Sequence, residues 1–275
     1  EKFAGALQSY SIEHLLPDGK AIQGPDFHFD GQNFAKVFGI SFADKNGQSQ
    51  FAWQNTWAIS TREIGVMTAI HSDDRGLVIP PRLAPVQVVI VPIFEDGSRD
   101  EVLEVARGIR DNLKVTVSVS LDDRDYLTAG RKYNEWELKG IPLRIEVGPR
   151  DVRDKKVVLA RRDLLSKRLV KVDAVRGEVL KELESIQQNL LEKATNFLQA
   201  NTRRVDSYDQ FREIVSKMGG ILQSPWCSTD DCENGVKDET GAKIINVPIE
   251  QRLQGAVCIR CGKPANVLAN FAKSY

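Results

Sequence analysis

Residues Trp136–Asp151, WELKGIPLRIEVGPRD, decide how the middle of this chain folds. The helical pattern over Arg131–Lys139 runs out at Gly140, and Ile141–Val147 reads as a strand, so a single glycine separates two kinds of element. Toward the N-terminus, Val86–Phe94 is a dense Val and Ile run of the type that fills a strand covered on both faces. Arg99–Leu113 then has helical periodicity and Val115–Leu121 is a strand again. Strand and helix alternate, which is the pattern of a layered α/β domain, expected to end near Arg162. Beyond it, Val172–Arg203 carries good helix formers with an apolar stripe interrupted only by Gly177, and reads as one long helix leading to the tail.

The first third has a different texture. From Phe3 to about Pro85, short strand-like runs are separated by turns, the clearest at Pro17-Asp18-Gly19 and Lys45-Asn46-Gly47, which suits hairpins of an antiparallel sheet. Gln50–Ile59 is aromatic-rich and partly alternating, as a half-buried strand would be, and leads into helical spacing over Thr61–Ile70. Pro80, Pro81 and Pro85 remove backbone donors and restrict their predecessors, placing a domain boundary near Pro81–Val86.

A chain of 275 residues, 41% of them hydrophobic, exceeds what one ordinary core needs and can fill two or three small ones. Lys plus Arg and Asp plus Glu both number 38, so no global field draws the protein toward nucleic acid or anionic lipid, and any RNA contact has to come from a local patch. No apolar run approaches the roughly 20 residues of a membrane helix, and the N-terminus lacks signal-peptide order, which reads as cytoplasmic. The chain opens on Glu1 rather than Met, without a cap or turn, and is expected to be a fragment. Phosphate-cradling glycine loops, a Ser-His-Asp pattern and a nucleophilic cysteine pattern do not stand out.

Four cysteines fall in the last quarter as Cys227-x4-Cys232 and Cys258-x2-Cys261. Two close pairs on two loops can offer four thiolates to a structural zinc, and Gly262 permits the tight turn that brings amides to the sulfurs; reduced buried pairs or disulfides are the alternatives. Around Trp136–Asp151, Glu137, Lys139, Arg144, Arg150 and Asp151 supply the carboxylates and guanidiniums that reading unstacked bases needs. On residue types alone, a solvated face of mixed charge is the plainer reading. His28, between Phe27 and Phe29, and His71 are read as structural. Arg62 leaves an aromatic strand at a helix start, where a guanidinium can cover a phosphate or stack on a base.

In order and spacing, Phe3-Ala4-Gly5, Ile22-Gln23-Gly24, Gly31-Gln32-Asn33-Phe34, Gln54–Pro81, Trp136–Asp151 and the cysteines before Lys273-Ser274-Tyr275 resemble prolyl-tRNA synthetases of the archaeal and eukaryotic type. The likeness spans almost the whole chain. It implies a multidomain α/β and α+β protein. Residues 1–85 would be the C-terminal part of a class II antiparallel-sheet catalytic domain with motif 3. Residues 86–203 would form an α/β anticodon-binding domain with a connecting helix, and 204–275 a small zinc-binding domain. By that resemblance Arg62 is the catalytic arginine on ATP phosphate and adenine, with Gln23 and Asp26 also at the nucleotide. Phe3, His28 and Ser60 would line the proline pocket. Glu137, Arg144, Arg150 and Asp151 would read the two guanines of proline anticodons, and Cys227, Cys232, Cys258 and Cys261 would hold Zn²⁺. Two positions depart from the family pattern: Asp26 replaces a hydroxyl, and Ser72 a glycine.

The implied activity is that of a proline--tRNA ligase: proline and ATP, with Mg²⁺, give prolyl-adenylate, and the prolyl group passes to tRNA(Pro). The implied assembly is a homodimer through the intact catalytic domain. The class II motifs 1 and 2 are not in this sequence, so the chain alone is expected to be inactive. The rival readings are a non-catalytic tRNA- or zinc-binding module derived from a synthetase, and a structural zinc protein unrelated to tRNA.

Overall fold

Where Pro17-Asp18-Gly19 turns the chain, with Gly19 at φ +79°, strands β1 (Gln8–Leu15) and β2 (Ala21–Gly31) pair antiparallel from Leu15 opposite Ala21 to Gln8 opposite Phe29. The computed structural model describes residues 2–95, 97–251, 253 and 255–275, and has two compact units. One consists of Glu1–Val66 with Leu198–Tyr275, the other of Met67–Phe197. After α1 (Asn33–Phe38), β3 (Ser41–Ala43) and β4 (Ser49–Phe51) form a small hairpin around the Lys45-Asn46-Gly47 turn, and β5 (Gln54–Ala58) adds to β2. The strand expected over Gln50–Ile59 is thus two, because β4 pairs with β3 while β5 pairs with β2. Helix α2 (Arg62–His71) follows.

Period-two alternation sorts the three-stranded sheet into two faces. Phe27 packs on Trp57 at 4.4 Å and on Tyr10 at 6.0 Å, and Phe29 stacks on Trp53 at 5.7 Å. Asp26 and His28 project to the other side.

Within Met67–Phe197 the elements are β6 (Val88–Pro92), α3 (Arg99–Leu113), β7 (Val119–Leu121), α4 (Ala129–Leu138), β8 (Leu143–Val147), α5 (Pro149–Arg153), β9 (Lys156–Arg161), β10 (Lys167–Lys171) and most of α6 (Val175–Ala200). They build a five-stranded sheet of order β10-β9-β8-β6-β7, with β6 parallel to β7 and β8, and β9 antiparallel to β8 and β10. Every residue of β6 is buried, as expected for a central strand covered on both faces. Val88 and Ile90 face α3, α6 and the main core, while Val89 and Val91 face Tyr133 and Trp136 of α4. Each such aliphatic side chain contributes about 1.5–3 kcal/mol on burial.

The sheet does not stop at Arg162. A tight turn with Leu165 at φ +55° and Arg161 N–H bonded to Ser166 O (2.9 Å) folds β10 back onto β9. Strand β7 starts later than its Val-rich lead suggests, since the amides of Thr116 and Val117 bond back to Leu113 O. The end of α4 is gripped by the segment before β6: Leu77 N–H bonds to Leu138 O (3.1 Å) and Ile79 N–H to Gly140 O (3.3 Å). Glycine is required there, because a Cβ on Gly76 would lie 2.5 Å from Leu138 Cα, and one on Gly140 would lie 2.6 Å from Leu77 Cβ.

The rest of the first unit carries β11 (Thr202–Arg204), α7 (Tyr208–Lys217), β12 (Ile221–Trp226), α8 (Asp230–Thr240), β13 (Lys243–Asn246) and β14 (Val267–Ala272). They make a sheet of order β11-β12-β14-β13 around Phe211, Leu222, Val236 and Phe271. Past β14 the chain pairs with the first hairpin: Ala21 N–H bonds to Lys273 O (2.7 Å), Ala21 bridges Ser274, and the Tyr275 hydroxyl donates to Asp18 Oδ2 (2.6 Å).

Candidate functional site

A buried carboxylate adds a polar anchor to helix α4. Asp122, just after β7, accepts Nε and Nη2 of Arg124 (2.7 Å each) and the Trp136 indole N–H (2.8 Å), while its carbonyl accepts Nζ of Lys132 (3.1 Å), a lysine only 1% exposed. Arg124 also bonds to Glu135 (2.8 Å). Burial raises the Asp122 carboxyl, and the Arg124 and Trp136 hydrogen bonds more than offset it, leaving it at about 2. Lys132, Glu135 and Trp136 are thereby committed to this anchor, and Tyr133 and Glu137, one helical turn apart, meet β8 instead.

On β8, Arg144 and Glu146 share a face at i and i+2. Arg144, 8% exposed, donates from Nη1 to Glu137 Oε1 (3.2 Å) and from Nε and Nη2 to Glu146 Oε1 (3.1 and 3.0 Å), and lies 4.0 Å from the Tyr133 ring centre. Lys167 of β10 donates to Glu146 Oε2 (2.9 Å). Burial first, and then the Glu146 charge, push the Tyr133 hydroxyl far above its usual range, so it remains a neutral donor. In α5, Pro149 occupies the first turn and Asp151 accepts the Gly148 N–H (2.9 Å), which leaves Arg150 exposed on the first turn. Glu137 and Arg144 are therefore directly joined, Asp151 is held to Gly148, and Arg150 is exposed on its helix. Tyr133, Glu146 and Lys167 were not singled out from the sequence; the i+2 spacing of Glu146 from Arg144 was the available signal. The set can accept from guanine-type N–H groups at Glu137 and donate to acceptor edges or phosphate from the cations.

In the first unit Phe3, Gln23, Asp26, His28, Ser60 and Arg62 come together. The Phe3 ring stacks on His28 (4.6 Å, 20°), and His28 shares a hydrogen bond with Ser9 Oγ (3.0 Å). His28 Nε2 lies 3.5 Å from Asp26, which accepts from Gln23 Nε2 (3.4 Å). Arg62 Nη1 donates to Gln23 O (3.1 Å), and the Arg62 amide to Ser60 Oγ (3.3 Å). Beside Arg62, Glu63 pairs with His14 of β1 (3.0 Å).

The sulfurs of Cys227, Cys232, Cys258 and Cys261 all lie within 4.8 Å of one another, and those of Cys227 and Cys261 are 3.8 Å apart. Four sulfurs at the zinc–thiolate distance of about 2.3 Å around a tetrahedral centre would be about 3.8 Å apart, so the donor set fits that ion. Cys232 sits in the first turn of α8, and Gly262, at φ +72°, donates its amide to Cys258 O (2.9 Å). Burial raises the Cys227 thiol, but the Thr229 hydroxyl and amide and the neighbouring thiols outweigh it and bring it down, while burial pushes Cys232 up. Such a split is expected when close thiols compete for one negative charge.

A family profile described as "Anticodon binding domain" matches residues 87–182, and one described as "Prolyl-tRNA synthetase, C-terminal" matches 208–275. The whole chain aligns with proteins named "Proline--tRNA ligase" from Natranaerobius thermophilus (43% identical over 277 residues, 57% of that protein) and Thermococcus kodakarensis (41% over 280, 58%). The "Proline--tRNA ligase, chloroplastic/mitochondrial" of Arabidopsis thaliana is 45% identical over 284 residues, 52% of that protein. The chain spans somewhat over half the length of these curated relatives. Among the described residues, no helix is long and apolar enough to cross a membrane.

Proposed function

The chain belongs to the prolyl-tRNA synthetase family, corresponding to the C-terminal part of its members, and from this we propose that it supplies the anticodon-reading surface of a proline--tRNA ligase acting on tRNA(Pro). The observation that carries the reading is Glu137 held against the buried, doubly paired Arg144 inside the region matched by the anticodon-binding profile. A carboxylate fixed in this way presents acceptors to the amino and imino edge of a guanine without first having to be ordered. Arg150 and Asp151 on α5 complete the set. Anisotropy or filter binding tests it: tRNA with a proline anticodon should bind more tightly than the same tRNA with its two guanines replaced, and equal affinities would sink the assignment.

The wider reading has three domains: residues 1–85 from a class II catalytic domain, 86–203 for the anticodon, and 204–275 holding a structural zinc on Cys227, Cys232, Cys258 and Cys261. In the complete enzyme Arg62 would neutralise ATP phosphate charge as the proline carboxylate attacks it, with Mg²⁺ sharing that load, and Gln23 and Asp26 would hold the nucleotide. Phe3, His28 and Ser60 would close around proline. The complete enzyme would be a cytoplasmic homodimer.

A second reading, a non-catalytic RNA- or zinc-binding module, draws support from Asp26, whose carboxylate is already engaged by Gln23 and faces His28 across 3.5 Å. Proline-dependent pyrophosphate exchange by the complete enzyme distinguishes the two: turnover lost on Arg62→Ala supports the synthetase, and no turnover in the parent supports the module.

A further inference from the structure

The turn before β6 carries an arginine that the anticodon reading leaves without a role. Asp73 and Gly76 close this turn with reciprocal backbone hydrogen bonds (3.2 and 3.0 Å), and Asp73 Oδ1 accepts the Arg75 amide (2.9 Å). The turn is then bolted down by Arg162, only 3% exposed, which donates to both Asp73 oxygens (2.7 and 2.5 Å) and to Gly76 O (3.1 Å). The same guanidinium donates from Nε to the backbone oxygen of Glu137 (3.3 Å). One buried arginine thus fixes the backbone of Arg75 relative to the backbone of Glu137.

The Arg75 side chain is 59% exposed, and its Nη1 lies 3.8 Å from Glu137 Oε2, on the opposite oxygen from the one held by Arg144. A contact of that length is an ion pair too long for a hydrogen bond, so most of the fork's five N–H donors stay open to solvent. A guanidinium beside a base-reading carboxylate, anchored at its backbone and free at its tip, has the geometry for an anion that accompanies the base. In single-stranded RNA that anion is the backbone phosphate next to the nucleotide.

We propose that Arg75 is a phosphate-contacting residue of the RNA surface, seating the backbone beside the nucleotide that Glu137 reads. This rests on the anticodon assignment of Glu137 above, and it makes Arg75 a source of affinity, not of base choice.

The test is binding of the full chain to two transcripts, one with a proline anticodon and one with its guanines replaced, as a function of salt. One phosphate contact on a single strand contributes about 0.7 to the slope of log affinity against log salt. Arg75→Ala should therefore lower that slope by about 0.7 and weaken both RNAs by about 5-fold at 0.1 M salt relative to 1 M, with their ratio unchanged. Arg75→Lys should keep the slope, and neither exposed change should shift the melting temperature. An unchanged slope with Arg75→Ala, in a parent that still discriminates the RNAs, would overturn the proposal alone. A collapse of discrimination would also overturn it, in favour of base reading. A parent that binds both RNAs equally would remove the anticodon assignment and this inference with it.

Discussion

Replacing Asp122 by alanine should loosen helix α4 before anything else in its unit. The substitution strands the half-buried Trp136 indole N–H, which donates to Asp122 Oδ2 at 2.8 Å. An orphaned donor of this kind costs about 1–3 kcal/mol. Arg124 keeps its bond to Glu135 and can turn to water, so it adds less than its two short contacts suggest. Lys132 bonds to the Asp122 carbonyl, which survives, but loses the nearby carboxylate that favours its charged form. A net loss of about 2 kcal/mol, at about 3–5 °C per kcal/mol for a unit of this size, lowers the melting transition by about 5–10 °C.

The effect has a pH signature. With the folded carboxyl at about 2 against an ordinary value of 3.8, the stabilisation is complete above about pH 4 and fades as pH falls toward 2. The wild type and Asp122→Ala should therefore converge in acid. Hydrogen exchange of the α4 amides, measured beside calorimetry at pH 7 and pH 3, checks both parts. A variant that melts with the wild type at pH 7, or exchanges its α4 amides no faster, would refute the anchoring argument.

Gly140→Ala should destabilise by about 2 kcal/mol or more in a urea titration, since φ +72° and a Cβ 2.6 Å from Leu77 act together. The Arg162 hydrogen bonds hold Asp73 at about 2, so stability from that pair should be lost only as pH drops from about 4 toward 2, and Asp73→Asn should flatten this limb of the pH–stability curve. If zinc fills the cysteine cluster, Cys258→Ser should lower the bound metal, read by a colorimetric chelator at one per chain in the parent, and chelation should lower the melting of the Leu198–Tyr275 segment but not of Met67–Phe197.

The parts of this molecule legible in its sequence were those written locally. Arg99–Leu113 is a helix to the residue, because its amphipathic period needs no distant partner, and the cysteine spacing foretold a cluster whose sulfurs do converge. Strands β9 and β10 were hidden: their text is dense in Lys and Arg, and only pairing with β8 and cover from α6 give Val157, Leu159 and Val170 a core to face. The tail's sheet was equally unreadable, since β14 finds its neighbours at β12 and β13 across long loops. Around β8, Glu137 and Arg144 could be picked by residue type, whereas the anchor that positions the helix of Glu137 could not. Asp122 stands in a Leu-Asp-Asp-Arg-Asp run that reads as exposed loop, and nothing in the sequence says that Lys132 is among the most buried side chains of the protein.

The order of strands in the last sheet bears on how the polypeptide matures during translation. β14 comes after β12 and β13 in the chain yet lies inside the sheet between them, and the residues just after it pair with the hairpin at Pro17-Asp18-Gly19. The segment Met67–Phe197 is continuous and can complete its core while synthesis proceeds at about 5–20 residues per second. The hairpin at Pro17-Asp18-Gly19 must instead wait some 250 residues for its partner, a loop closure of high contact order. Nascent chains arrested before Val267 should therefore hold a protease-resistant Met67–Phe197 segment and a protease-sensitive hairpin at Pro17-Asp18-Gly19, the hairpin gaining resistance once Val267–Tyr275 has been made.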